Sequence, residues 1–92
     1  MDATAFEAAL GRDGFTGVEV KALEPGRATP PHAHPFEVRA LVLDGDITLT
    51  VDGRQDRYGA GQVFTMAAGH PHAETVGPDG VRYLVGRRAA AA

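Results

Sequence analysis

From Phe15 onward this chain is cut at short intervals by glycine-bearing turn signals, so no element between them can be long. Asp13-Gly14, Glu24-Pro25-Gly26, Asp44-Gly45, Asp52-Gly53, Gly59-Ala60-Gly61, Ala67-Ala68-Gly69 and Gly77-Pro78-Asp79-Gly80 punctuate it. Glycine reaches positive φ without steric cost, and aspartate hydrogen-bonds its own following backbone. Between these signals side chains alternate. Val18 and Val20 alternate with Glu19 and Lys21, and Ile47, Leu49 and Val51 with Thr48 and Thr50, the period-2 pattern of half-buried strands. Residues 27–31 are held extended by Pro30 and Pro31. The strand over 36–43 ends in Ala40-Leu41-Val42-Leu43, apolar on both faces. Such a run needs a core on one side and a helix or partner subunit on the other. Asp44-Gly45 reads as a hairpin into the next strand, Asp52-Gly53 as another, and further strands follow over 54–58, 62–66, 70–76 and 81–85. About seven or eight short strands in this rhythm describe an all-β sandwich or barrel. One helix is predicted, capped by Asp2, running over 3–10, stopped by Gly11 and packing through Phe6, Ala9 and Leu10.

The histidines carry the chemistry. All 4 fall in two His-x-His pairs, His32-Ala33-His34 and His70-Pro71-His72. Residues i and i+2 of a strand point to the same face, so each pair can aim two imidazoles into one space. Strands laid side by side would then bring three or four ring nitrogens together, the donor set of a first-row transition-metal site. A single pair would be read as polar loop residues beside proline. Two pairs, with no histidine elsewhere, favour a site.

Composition narrows what that site can do. The chain has no cysteine, which removes disulfides and thiolate metal sites, and it also lacks serine, leaving no usual hydrolase nucleophile. A net charge of −3 with a single lysine, Lys21, argues against nucleic acid. There is no phosphate-binding glycine loop. No apolar stretch approaches the roughly 20 residues needed to span a bilayer, and no basic-then-apolar leader opens the chain. A cytoplasmic protein is expected, with no membrane or nucleic-acid partner.

The spacing around the histidines resembles the cupins. Their first motif reads Gly, five residues, His-x-His, three residues, Glu, six residues, Gly; here Gly26, His32, His34 and Gly45 are in register. Their second reads Gly, five residues, Pro-x-Gly, two residues, His, three residues, Asn; here Gly61, Gly69 and His72 are in register and Ala67 replaces the proline. Val38 holds the motif glutamate position and Val76 the asparagine position. The resemblance implies a jelly-roll barrel, the double-stranded β-helix, with a short N-terminal helix. It also implies one divalent transition metal (Zn, Ni, Cu, Fe or Mn) on His32, His34 and His72. Glu37 lies one residue before the motif glutamate; in a regular strand it points away from the histidines, and only a bulge would bring it in as a ligand. His70 is open between a fourth ligand, a hydrogen-bonding partner and a loop residue at the barrel mouth.

The expected organisation is a single domain over 1–92, with a helical segment over 1–14, a barrel over 15–86 and a tail over 87–92 containing Arg87 and Arg88. Phe36, Val38, Val42, Phe64 and Met66 are expected to include part of the cavity wall, with Arg39 and Arg82 at the surface and Tyr83 in the core. Glu74 shares His72's parity and receives no role. A small-molecule ligand and a homodimer, the latter drawn from the doubly apolar run at 40–43 and from the edges of an open sheet, complete the expectation. Three readings follow: metal-centred chemistry of dioxygenase or isomerase type on a small organic substrate; a non-catalytic module that binds or senses a ligand or metal or stabilises another protein; or a metal-free barrel whose histidines are polar mouth residues.

Overall fold

The computed structural model describes residues 1–90; the last two positions of the expected tail lie outside the described residues. Asp2 opens α1 (Ala3–Arg12), its carboxylate accepting from the Thr4 N–H at 2.7 Å. The helix does not stop at Gly11. It continues to Arg12, and Gly14, at φ 82, takes the left-handed position beyond the cap. There the Phe15 N–H donates to the Leu10 carbonyl at 2.8 Å and the Gly14 N–H to Gly11 at 3.2 Å, closing the end with Phe15 packed near Leu10.

Six antiparallel strands follow: β1 (Thr16–Leu23), β2 (Ala28–His32), β3 (Phe36–Val51), β4 (Arg54–Gly59), β5 (Val63–Met66) and β6 (His72–Ala89). The count falls below the expected seven or eight because two turn signals do not reverse the chain. At Asp44-Gly45 strand β3 continues through register shifts at Val42/Asp44 and Gly45/Ile47, and β6 runs straight through the 77–80 segment opposite. Gly45 and Gly80 press together at φ 76 and 77, and a Cβ on Gly45 would overlap the Gly80 carbonyl. The two long strands therefore bend side by side, and each passes from one sheet to the other at this corner. One layer holds β1, the second half of β6, the first half of β3, and β5. The other holds β2, the first half of β6, the second half of β3, and β4. Asp52-Gly53 is the hairpin the sequence predicts, with both residues at positive φ and Val51 opposite Arg54.

Between the layers lies the main core, in which Ala40, Val42, Ile47, Leu49, Phe64 and Val76 are buried with Tyr83. Outside the first layer a second cluster joins Phe6 and Leu10 of α1 to Phe15, Leu41 and Leu84. The doubly apolar run is thus covered by the barrel core and the chain's own helix, which takes away its support for a homodimer. At β1 the expected faces are reversed. Val18 and Val20 are exposed on the outer side, whereas Lys21 lies opposite Tyr83 and reaches the barrel mouth. This is an edge strand at an open barrel end, where the inner face meets water rather than core. The tail also contracts, because β6 runs to Ala89. Arg88 donates to Glu37 and to the Asp13 carbonyl, both at 2.7 Å, and is no loose terminal cation.

Candidate metal centre

Three of the four histidines meet at one end of the barrel. The strand pairing sets His32 of β2 directly opposite His72 of β6, beyond a register shift between Thr29 and His32. His34 sits in the β2–β3 connection, where its carbonyl accepts from the Gly69 N–H at 2.6 Å, tying together the loops that carry the two His-x-His pairs. Ligand nitrogens of His32, His34 and His72 lie within 4.8 Å of one another. The ring centroids are 4.5 to 5.0 Å apart.

Each ring is held in place. His32 Nδ1 faces the Pro30 carbonyl at 2.9 Å and His72 Nδ1 faces the His70 carbonyl at 3.3 Å. A carbonyl only accepts, so these Nδ1 atoms carry the hydrogen, and in the neutral ring each Nε2 then presents a lone pair. His34 stacks on Phe36 at 4.9 Å with the planes 12° apart. Burial, then the neighbouring His72 and His32 rings and Lys21, hold the His34 imidazole below its usual pKa against an opposing pull from Glu74, so the ring is neutral, as a ligand must be.

The decisive atom is His72 Nε2. His72 is only 3% exposed, and this nitrogen is buried with no hydrogen-bond partner among the described residues. Leaving such a group unsatisfied costs about 1–3 kcal/mol, unless something absent from the polypeptide accepts the lone pair. Three imidazole nitrogens arranged this way fit a divalent transition metal.

The remaining candidates separate cleanly. Glu37 accepts from Arg88 on the opposite face of β3, whose pairing with β6 is regular from Phe36 to Arg39, so no bulge turns it inward. It lies outside the histidine cluster. Val38, on the inner face, lines the cavity instead. His70 Nε2 lies 3.0 Å from Asp52 Oδ2 at the exposed mouth, while its carbonyl orients His72. Arg39 pairs with Asp13, and Arg82 with Asp44, at the surface. The residue that sequence reasoning left without a role is Glu74. Its Oε2 lies 3.6 Å from His32 Nε2 and 3.8 Å from His72 Nε2. The signal was its parity with His72.

Beside His34 a cavity of about 80 Å³ opens between the layers, walled by Phe36, Val38, Phe64, Met66 and Tyr83. Lys21 and Arg87 stand at its lining, and no carboxylate does among the described residues. Arg87 lies over the Phe36 ring at 4.9 Å. Burial and the nearby Glu74 push the Tyr83 phenol up to about 12, so it stays a neutral hydroxyl.

The cupin domain family model matches residues 20–85. The chain is a cupin. The match spans most of the barrel, from within β1 to within β6, and both histidine pairs. No curated protein sequence matches this cupin significantly. Among solved structures, a protein of unknown function from Rhizobium leguminosarum superimposes with a TM-score of 0.75 at 18% identity, covering 98% of this chain and 97% of that one. The DMSP lyase DddQ from Ruegeria pomeroyi gives 0.70 at 29% identity, over 78% of this chain and 37% of the lyase. The polyketide cyclase RemF from Streptomyces resistomycificus gives 0.67 at 26%, over 86% and 63%. This cupin therefore spans less than two thirds of the lyase and of the cyclase. No helix among its described residues is long and apolar enough to cross a membrane.

Proposed function

We propose that this cupin holds one divalent transition metal on His32, His34 and His72 and uses it to transform a small organic acid bound in the adjoining cavity. The carrying observation is the buried, unpartnered Nε2 of His72, grouped with two further imidazoles of which one, His34, lines the adjoining cavity. A metal bound there would supply a Lewis acid or an oxygen-reactive centre. The chain's own residues do the rest. Carbonyls of Pro30 and His70 fix two rings and Phe36 braces the third, while Phe64 and Met66 exclude water from the substrate's body. Tyr83 offers a neutral hydroxyl to that cavity. The choice of an acid rests on Lys21 and Arg87 at the opening, without an opposing carboxylate in the lining. Likeness to a lyase and a cyclase supports an enzyme of small molecules. The assembly that carries the site is proposed to be a homodimer paired through the open β1 edge.

Metal content and affinity test the reading. Purification without chelator, with His32→Ala and His72→Ala alongside, is expected to give near one metal per chain, lost in both variants. The loaded protein is then screened for turnover of small carboxylic acids against matched amides. Failure to take up any of a panel of divalent ions would remove the metalloenzyme. Uptake of metal and acid without turnover would make the protein a binding module instead.

A further inference from the structure

A divalent charge held by three imidazoles alone keeps its full +2, and in a partly buried site opposite charge facing the ion stabilises it further. The family's first motif would place that charge at position 38, where this chain has valine. Glu37, the only acidic residue beside it, is committed to Arg88 on the far face. The cluster nevertheless has a carboxylate. Glu74 follows His72 by two residues on β6, so it faces the barrel interior opposite Leu49 of β3 and Thr29 of β2. Its side chain is 11% exposed. Its Oε2 stands 3.6 Å from His32 Nε2 and 3.8 Å from His72 Nε2.

The two spacings fall within the range of atoms sharing one ion, with Glu74 at the edge of the three-imidazole group on its His32–His72 side. Nitrogen and oxygen ligands at about 2.0–2.2 Å from a metal lie roughly 3 to 4.4 Å from one another, depending on the angle between them. Among the described residues no arginine, lysine or backbone N–H bonds the Glu74 carboxylate; two imidazole nitrogens, one of them wholly unpartnered, are its polar neighbours. With their Nδ1 atoms facing carbonyls, both imidazoles turn Nε2 towards it. A cation placed between them would be shared by both Nε2 atoms and the carboxylate.

We infer that Glu74 is the fourth protein ligand, supplying from the second motif's strand the negative charge that the first motif's valine lacks. The inference rests on the metal reading above. It would give a three-imidazole, one-carboxylate site of net charge +1, with the acid cavity opening on the His34 side.

Cobalt(II) is the probe, added to metal-free wild type, Glu74→Gln and Glu37→Gln. Affinity is read by chelator competition and the coordination by the visible ligand-field spectrum. Glu74→Gln should bind cobalt at least about 10- to 100-fold more weakly and with an altered spectrum, while Glu37→Gln matches wild type in both. Weaker binding with an unchanged spectrum would mean that Glu74 acts only through the histidines, and would overturn its ligand role. Unchanged affinity and spectrum would overturn it too. If wild type binds no cobalt, it is the metal reading itself that fails. Should Glu74→Gln not fold, infrared difference spectra of Glu37→Gln decide. Cobalt must shift a glutamate carboxylate stretch, and its absence refutes the assignment.

Discussion

Replacing His72 by leucine should invert the order of stability between metal-free and metal-loaded protein. Without metal, the wild type carries the buried, unsatisfied Nε2 of a residue 3% exposed, a burden of about 1–3 kcal/mol. Leucine of similar reach removes that burden. It also forfeits the long contact from Nδ1 to the His70 carbonyl at 3.3 Å, worth no more than about 0.5–1.5 kcal/mol. The His70 backbone lies at the barrel mouth and can turn to water. Metal-free His72→Leu should therefore be as stable as wild type or up to roughly 2 kcal/mol more stable. For a domain of this size that is a rise in melting temperature of up to roughly 8–16 °C. Metal at about 100 times its Kd stabilises the wild type by about 2.7 kcal/mol, roughly 11–22 °C, and should leave the variant where it was. Thermal denaturation followed by circular dichroism, with chelator and then with zinc, measures all four states. A metal-free variant more than about 2 kcal/mol less stable than wild type would show that the imidazole is satisfied or irreplaceable in packing. Equal metal-induced rises in both proteins would show that His72 does not hold the ion.

Gly45→Ala should cost about 3 kcal/mol or more in urea denaturation, because the added methyl meets the Gly80 backbone at φ 76, where neither strand can give way without opening the corner. A loss under about 1 kcal/mol would mean that the corner is pliable. Leu10→Ala, which empties a fully buried place between α1 and the outer sheet face, should cost about 2–5 kcal/mol and leave metal affinity unchanged. A matching loss of metal would couple the helix to the site. Hydrogen bonds from Arg88 and Arg39 hold the Glu37 and Asp13 carboxylates below their ordinary values of 4.5 and 3.8. With folded values depressed, the unfolded chain takes up protons first as pH falls, so their contribution is whole above about pH 4.5 and fades through the folded values. The melting-temperature gap between wild type and the double variant Asp13→Asn/Glu37→Gln should accordingly close in acid; a gap constant with pH would refute the pairing. Lys21→Met and Arg87→Met should each weaken binding of a small acid roughly 1.5- to 5-fold, most at low salt, without affecting a matched amide.

Much of the site was legible because its determinants are local. Two histidines two residues apart on a strand share a face wherever that strand lies, and the in-register glycines place the turns between them. The same parity argument sets Glu37 away from the cluster, and its Arg88 partner shows why no bulge rescues it. What parity cannot give is depth along the barrel. It places Glu74 on the histidine face, but the 3.6 and 3.8 Å spacings depend on the register shift between Thr29 and His32, which slides β2 past β6. A shift of that kind is settled by how the two strands fit, not by either sequence.

The fold divides along the same line. Alternation and glycine punctuation determined an all-β chain with one capped helix, the Asp52-Gly53 hairpin, and the two histidine pairs as the centre of any chemistry. Only the tertiary structure decided that Asp44-Gly45 and the 77–80 segment are bends in unbroken strands, since a glycine at positive φ serves a turn and a bulge equally well until its neighbour is known. Here that neighbour is the other bend, with Gly45 against Gly80. Tertiary structure likewise chose α1 as the cover for Leu41 and Leu84 and turned the valines of β1 outward. Burial is a property of what lies opposite a side chain, and in this barrel it lies many residues away along the chain.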